Sequence, residues 1–176
     1  MNARDEVGEL SLDASGRSGL YGALASAFTY DGAARSALAI PGPVFNEAFE
    51  PAVCKTACSL REGSYADVDQ SALFEELMRF YGFFGLAREE RAEMPDHLSV
   101  EFQFMHFLTH LESRSEGNAE ALRSLALAQR DFLQRHLRRT VHGVRKALKS
   151  EDSRCVELVE TAVELVDREL ERLAEA

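Results

Sequence analysis

The chain has 176 residues, the size of about one domain, and 45% of them are hydrophobic, enough for a sizeable core. Its net charge of -10, from 30 acidic against 20 basic residues, argues against DNA or RNA as a partner, because neutralising phosphates needs a basic excess. The same balance suits a protein that attracts a basic peptide, and only 4 prolines in the whole chain favour long helices over a turn-rich sheet.

Residues 1–17 are polar and Gly/Ser-containing and read as a flexible N-terminal arm, which leaves 18–176 as one all-helical domain. No apolar stretch after Met1 resembles a signal peptide or a bilayer span, so the expected compartment is the cytoplasm, without membrane insertion. Three cysteines (Cys54, Cys58 and Cys155) are too few for a disulfide scaffold and agree with that compartment.

From Ser18 onward, Leu20, Leu24 and Phe28 recur every four residues, the period of one helical face, until Asp31-Gly32. Pro41-Gly42-Pro43 breaks the chain, and a shorter helix is expected from Val44 to Leu60. Asp67 or Asp69 can cap the next helix, which carries Leu73, Leu77, Tyr81 and Phe84 and stops near Gly85. After a polar connection, Pro95-Asp96 marks a helix entrance, with Asp96 as the cap. The helix from about Leu98 to Glu112 has apolar side chains at many angles, as a central helix does. Gly117-Asn118 is the next break, and Leu122, Leu125, Phe132 and Leu133 organise a further helix, with Gly143 a possible kink or junction. Val156, Val159, Val163, Val166, Leu170 and Leu173 form a last stripe that packs against its own bundle or another subunit. The alternating β-branched runs of a sheet are absent, and the expected fold is all-α, a single-domain bundle of six to seven helices.

Several groups could carry chemistry. Glu93, Asp96, His97 and Glu101 surround a helix start, and His97 and Glu101 are four apart, so they can pair locally or present a polar patch to a bound peptide. His106 and His110 have the spacing of a two-imidazole chelate, and with His97 and Glu101 they define an alternative reading, a helical metal-binding enzyme. Against it, neither His-Glu-x-x-His nor Glu-x-x-His occurs. Cys54 and Cys58, four apart in an expected helix, read as small packed thiols. Arg130, Arg135, Arg138, Arg139, Arg145, Lys146 and Lys149 make a local basic belt whose ordinary role is a solvated helix face. A third reading is a coiled-coil partner that works through the C-terminal stripe.

The segment Tyr81-Gly-Phe-Phe-Gly-Leu86, followed by Glu93-Met-Pro-Asp-His-Leu98 and Glu101-Phe-Gln-Phe-Met105, resembles the signature region of the TorD/DmsD/NarJ family of redox-enzyme maturation chaperones. Asp131-Phe-Leu-Gln-Arg-His136-Leu resembles that family's Phe-Leu-x-x-His-Leu stretch, although Arg138-Arg139-Thr140 stand where many members have Trp. The resemblance implies a cytoplasmic chaperone, not an enzyme, with no cofactor or metal of its own. Its implied partner is the apo catalytic subunit of a DMSO-reductase-type molybdoenzyme, held through a twin-arginine leader until the cofactor is inserted. It implies a monomer or a homodimer. Carried onto this chain, the client and leader-peptide site falls on Glu93, Pro95, Asp96, His97 and Glu101, with Tyr81 and Phe84 in the adjoining wall. A leader with paired arginines before an apolar segment needs carboxylates beside a hydrophobic groove, and these residues offer both.

Overall fold

Asp13 starts the first helix by accepting a 2.7 Å hydrogen bond from the Gly16 amide, one of the donors that a helix start leaves unpaired. The helix that follows, α1 (Ala14–Ala27), begins four residues before the Ser18 start expected from its apolar spacing. The computed structural model describes residues 12–34, 36–89 and 92–175. Residues 1–11 of the expected arm lie outside the described residues, whereas Arg17, at its other end, is buried in the first turns of α1.

A 3-10 turn at Tyr30–Ala34 follows, and then α2 (Gly42–Phe49), with Pro43 in its first turn. The helix expected as far as Leu60 stops at Phe49, because Pro51 pushes Glu50 out of helical geometry, to φ -113° and ψ 91°. Cys54 and Cys58 consequently stand in an irregular segment and not on successive turns of a helix. A second 3-10 turn, Glu62–Ser64, leads to α3 (Gln70–Phe83). Asp69 is its cap, accepting from Ser71 and Ala72 at 2.9 and 3.1 Å, and Gly85, at φ +75°, adopts the left-handed geometry that ends it.

The central helix is α4 (Leu98–Arg114), which buries Leu98, Phe102, Phe104, Met105 and Leu108 and lies along α1. Gly117, at φ +82°, turns the chain, and Asn118 caps α5 (Ala119–Phe132). A π-helical turn, Leu133–Leu137, joins α5 to α6 (Arg138–Ala147) without a break, so these spans form one rod. Gly143 is no junction: it lies within α6, under the ring of Tyr65. The last helix, α7 (Ser153–Ala174), buries Val159, Val163, Val166 and Leu173 of the expected stripe in this same bundle, mainly against α6. Val156 of that stripe is exposed.

Among the described residues, seven α-helical spans, or six rods with α5–α6 counted as one, make an all-α single domain. Among the described residues the sole β-type pairing is an isolated antiparallel bridge between Arg61 and His97. Two aromatic clusters meet on α4. Phe102 stacks on Phe28, which meets Phe49 edge-on, while Phe104 packs edge-on against Tyr81, Phe84 and Phe132. At the far end, Arg17 of α1 reaches Glu112 of α4 at 2.6 Å and Glu169 of α7 at 3.2 Å, tying three helices together.

Candidate functional site

The isolated bridge is what builds the site. Leu98 donates its amide to the Leu60 carbonyl and Glu62 donates to the Asp96 carbonyl, both at 2.8 Å, which lays the segment before α3 against the entrance of α4. Arg61 and Glu62 are thereby delivered beside Asp96. The Asp96 side chain is fully buried, accepting from Arg61 Nε and, at 3.2 Å, from the Gly63 amide. It is not the helix cap. Leu98 is the first helical residue, so the cap position falls on His97, whose Nδ1 accepts from the Ser99 amide at 3.2 Å and lies 2.8 Å from the Ser99 hydroxyl. Burial holds the His97 imidazole below its usual pKa, against the opposing pull of Glu93 and Asp96.

Two more buried acids stand behind Asp96. Glu62 accepts from His136 Nδ1 at 3.0 Å and pairs with Arg139 at 3.2 Å. The π turn presents His136 inward, between the rings of Phe80 and Phe132. Glu101 accepts from the Thr140 hydroxyl at 3.2 Å through Oε1, while its Oε2 has no hydrogen-bond partner among the described residues. His97 and Glu101 are therefore not paired with each other: one caps the helix and the other faces the α5–α6 rod. Burial, and then the nearby Glu62 carboxylate, raise the Glu101 carboxyl well above its usual range. Tyr81 donates to the Pro95 carbonyl at 2.8 Å, and burial followed by Glu101, Glu62 and Asp96 keeps its phenol protonated.

In front of this network lies an open groove of about 530 Å³ between α3, α4, the end of α1 and the connection after Gly85. Met78, Leu86, Val100 and Phe107 give it an apolar lining, and Glu89 and Glu93 stand on its exposed rim. Arg88 is folded onto its own loop, donating to the Ala92 and Glu93 carbonyls.

The seven residues expected to form a client site thus occupy two layers. Tyr81, Glu93 and Pro95 line the groove, although Tyr81 and Pro95 are mostly covered. Phe84 packs behind the groove on Phe104 and Phe107. Asp96 and Glu101 have no exposed surface, and His97 is half-buried at the helix start. Arg61 and Glu62 escape periodicity because they stand at the start of a three-residue 3-10 turn, too short to show a repeat. His136 had a signal, as the histidine of the Phe-Leu-x-x-His-Leu stretch.

The other groups separate. Among the described residues no three His, Cys, Asp or Glu side chains form a metal set, so His97, Glu101, His106 and His110 do not converge. His106 and His110 are exposed, and His106 Nδ1 lies 2.7 Å from the Ser18 carbonyl. Much of the basic belt is paired: Arg135 with Glu76, Arg138 with Asp167, Arg139 with Glu62 and Arg145 with Glu160. None of the described helices is long and apolar enough to cross a membrane.

Comparison with known proteins adds a family. The family model described as nitrate reductase delta subunit matches residues 23–143. A Thauera selenatis protein named selenate reductase assembly chaperone protein is 37% identical over 134 residues, covering 73% of this chain and 67% of the relative. The perchlorate reductase assembly chaperone protein of Dechloromonas aromatica (strain RCB) is 33% identical over 134 residues, 74% of this chain and 60% of its own length. The chlorate reductase assembly chaperone protein of Ideonella dechloratans is 31% identical over 132 residues, 72% of this chain and 67% of its own. The matches thus span 60% to 67% of these three relatives. The chain belongs to the nitrate reductase delta subunit family, which is the NarJ/TorD family of the sequence resemblance.

Proposed function

We propose that this member of the nitrate reductase delta subunit family is a maturation chaperone, without catalytic turnover, for the catalytic subunit of a molybdenum-containing oxidoreductase. The names of its relatives support assembly chaperoning and suggest a client that reduces selenium or chlorine oxyanions. In this reading the chain works in the cytoplasm, holding the apo subunit through its twin-arginine leader while the cofactor is inserted. It acts as a monomer or homodimer.

The observation that carries the reading is the apolar groove with carboxylates on its rim, directly beside the family motif. An apolar peptide segment buried on Met78, Leu86, Val100 and Phe107 gains roughly 25 cal/mol per Å² of apolar surface removed from water. Glu93 and Glu89 would meet the arginines that precede such a segment through charge-assisted hydrogen bonds. Tyr81, Pro95 and Phe84 form the wall and its backing, whereas Asp96, His97 and Glu101 serve the same site from below by fixing the entrance of α4. A chaperone must also let go, and a groove open to solvent suits moderate affinity better than an enclosed cavity does.

The test is binding of a purified molybdoenzyme precursor, and of its isolated leader peptide, to Val100→Asp, Leu86→Asp and Glu93→Lys variants. Each should weaken binding at least tenfold, about 1.4 kcal/mol, with the thermal midpoint close to that of the parent. Unchanged binding by all three would rule out the groove. Binding of the mature subunit but not the leader would move recognition away from the twin-arginine segment.

A further inference from the structure

We propose that Glu101 carries a proton at neutral pH and donates it from Oε2 to Glu62, so that one shared proton latches the entrance of α4 to the segment before α3. The case rests on which cation meets which acid. Glu62, Asp96 and Glu101 are all fully buried and converge at one end of the bundle. Arg61 is spent on Asp96, and Arg139 is spent on Glu62, which also accepts from His136 Nδ1. For Glu101 there remains, among the described residues, only the neutral Thr140 hydroxyl, on Oε1. Its Oε2 is a buried atom without a partner among the described residues, and an acceptor left so costs its full desolvation. A carboxylic acid at the same place is a donor, with an adjoining carboxylate to receive it. Two buried carboxylates that share a site cannot both ionise cheaply.

Among the described residues the surroundings offer no alternative counter-charge. From the segment before α3 come Glu62 and Arg61, and from the start of α4 come Asp96 and His97. From α3 come Tyr81, whose hydroxyl is committed to the Pro95 carbonyl, and Glu76, which is held by Arg135. The rod contributes His136, Arg139 and Thr140, while Arg17 of α1 is engaged with Glu112 at the opposite end of α4. Burial and the Glu62 charge both push the Glu101 proton affinity upward, which agrees with the geometry.

The sign follows directly. A carboxyl whose proton is bound more tightly in the folded than in the unfolded chain stabilises the fold fully below the ordinary carboxyl pKa, and that contribution is lost as pH rises through the raised value. Above it, the proton leaves to water and two like charges face each other across the contact that holds Arg61 and Glu62 against Asp96. The latch then loosens beneath the groove.

Infrared difference spectra of parent against Glu101→Gln at pH 7 should show a carboxylic-acid carbonyl band in the parent that the variant lacks. The glutamine keeps a donor for Glu62 and an acceptor for Thr140 but cannot titrate. Parent stability, followed by thermal midpoint from pH 5 to pH 9, should therefore fall relative to the variant as pH rises. An absent band, or a constant difference between the two proteins across that range, would overturn the proposal. Should the variant fail to fold, carboxyl-carbon NMR of glutamate-labelled parent reads the same proton. A Glu101 resonance already in its carboxylate form at pH 7 would equally overturn it.

Discussion

At Asp96 the chain spends a buried carboxylate on a contact that looks, in sequence, like an ordinary cap. Pro95-Asp96 before an apolar run is a good helix-start signal, and the start is indeed there, one residue further on than the cap assignment needed. Cap position is a matter of a single residue, and sequence reading rarely fixes helix ends that closely. What turns Asp96 inward is Arg61, thirty-five positions away and set beside it by the Arg61–His97 bridge, which leaves no periodic trace. The two partners should differ sharply on substitution. Removing the cation strands a charge that has no exposed surface, a loss of about 3–5 kcal/mol, whereas Arg61 alone is partly exposed and can turn to solvent. Denaturant unfolding of Arg61→Met is therefore expected to show a loss in that range, and Asp96→Asn a smaller one, since its amide oxygen still accepts from Gly63. Equal losses would mean that the pair is not the clamp described.

At the scale of the element, what local chemistry dictates was legible and what distant packing dictates was not. Asp69, Gly85 and Gly117-Asn118 end or begin helices where their residue types require it. The overlong helix expected after Val44 failed on Pro51, a local signal that should have outweighed the apolar spacing beyond it. Gly143 shows the opposite case. As a helix-interior glycine it costs about 1 kcal/mol relative to alanine, so an alanine there looks beneficial. Yet a Cβ at this position would stand 2.3 Å from Tyr65 Cγ, and the ring has its hydroxyl bound to the Ser59 carbonyl. Overpacking of this kind costs about 1–3 kcal/mol, which exceeds the propensity gain through most of that range. Gly143→Ala should therefore lower the thermal midpoint, and Gly143→Ala combined with Tyr65→Leu should recover part of the loss. A more stable single variant would show that Tyr65 yields freely.

For the molecule as a whole, helical class and a buried central α4 followed from composition and period, because amphipathic spacing reports how much of a helix is covered. It does not report by what. The α7 stripe was equally compatible with this bundle and with a separate coiled-coil partner, and only the fold distinguishes them: Leu158, Val159, Ala162, Val163, Val166 and Leu173 are buried within the same chain. Glu169, buried on the same helix, is tied in as well, pairing with both Arg17 of α1 and Arg172. Losing one such leucine to alanine costs about 2–5 kcal/mol, against a total stability of roughly 5–15 kcal/mol for an ordinary domain. Deleting 150–176 should therefore abolish the cooperative melt instead of leaving a folded core without its partner. Leu158→Ala is the graded form of the same test, expected to lose about 2–5 kcal/mol by denaturant unfolding while the rest of the chain keeps its helical circular dichroism. A truncated chain that still melts cooperatively would return α7 to the role of a detachable interaction helix. It would also free Arg17 and Glu169 from the structural part assigned to them here.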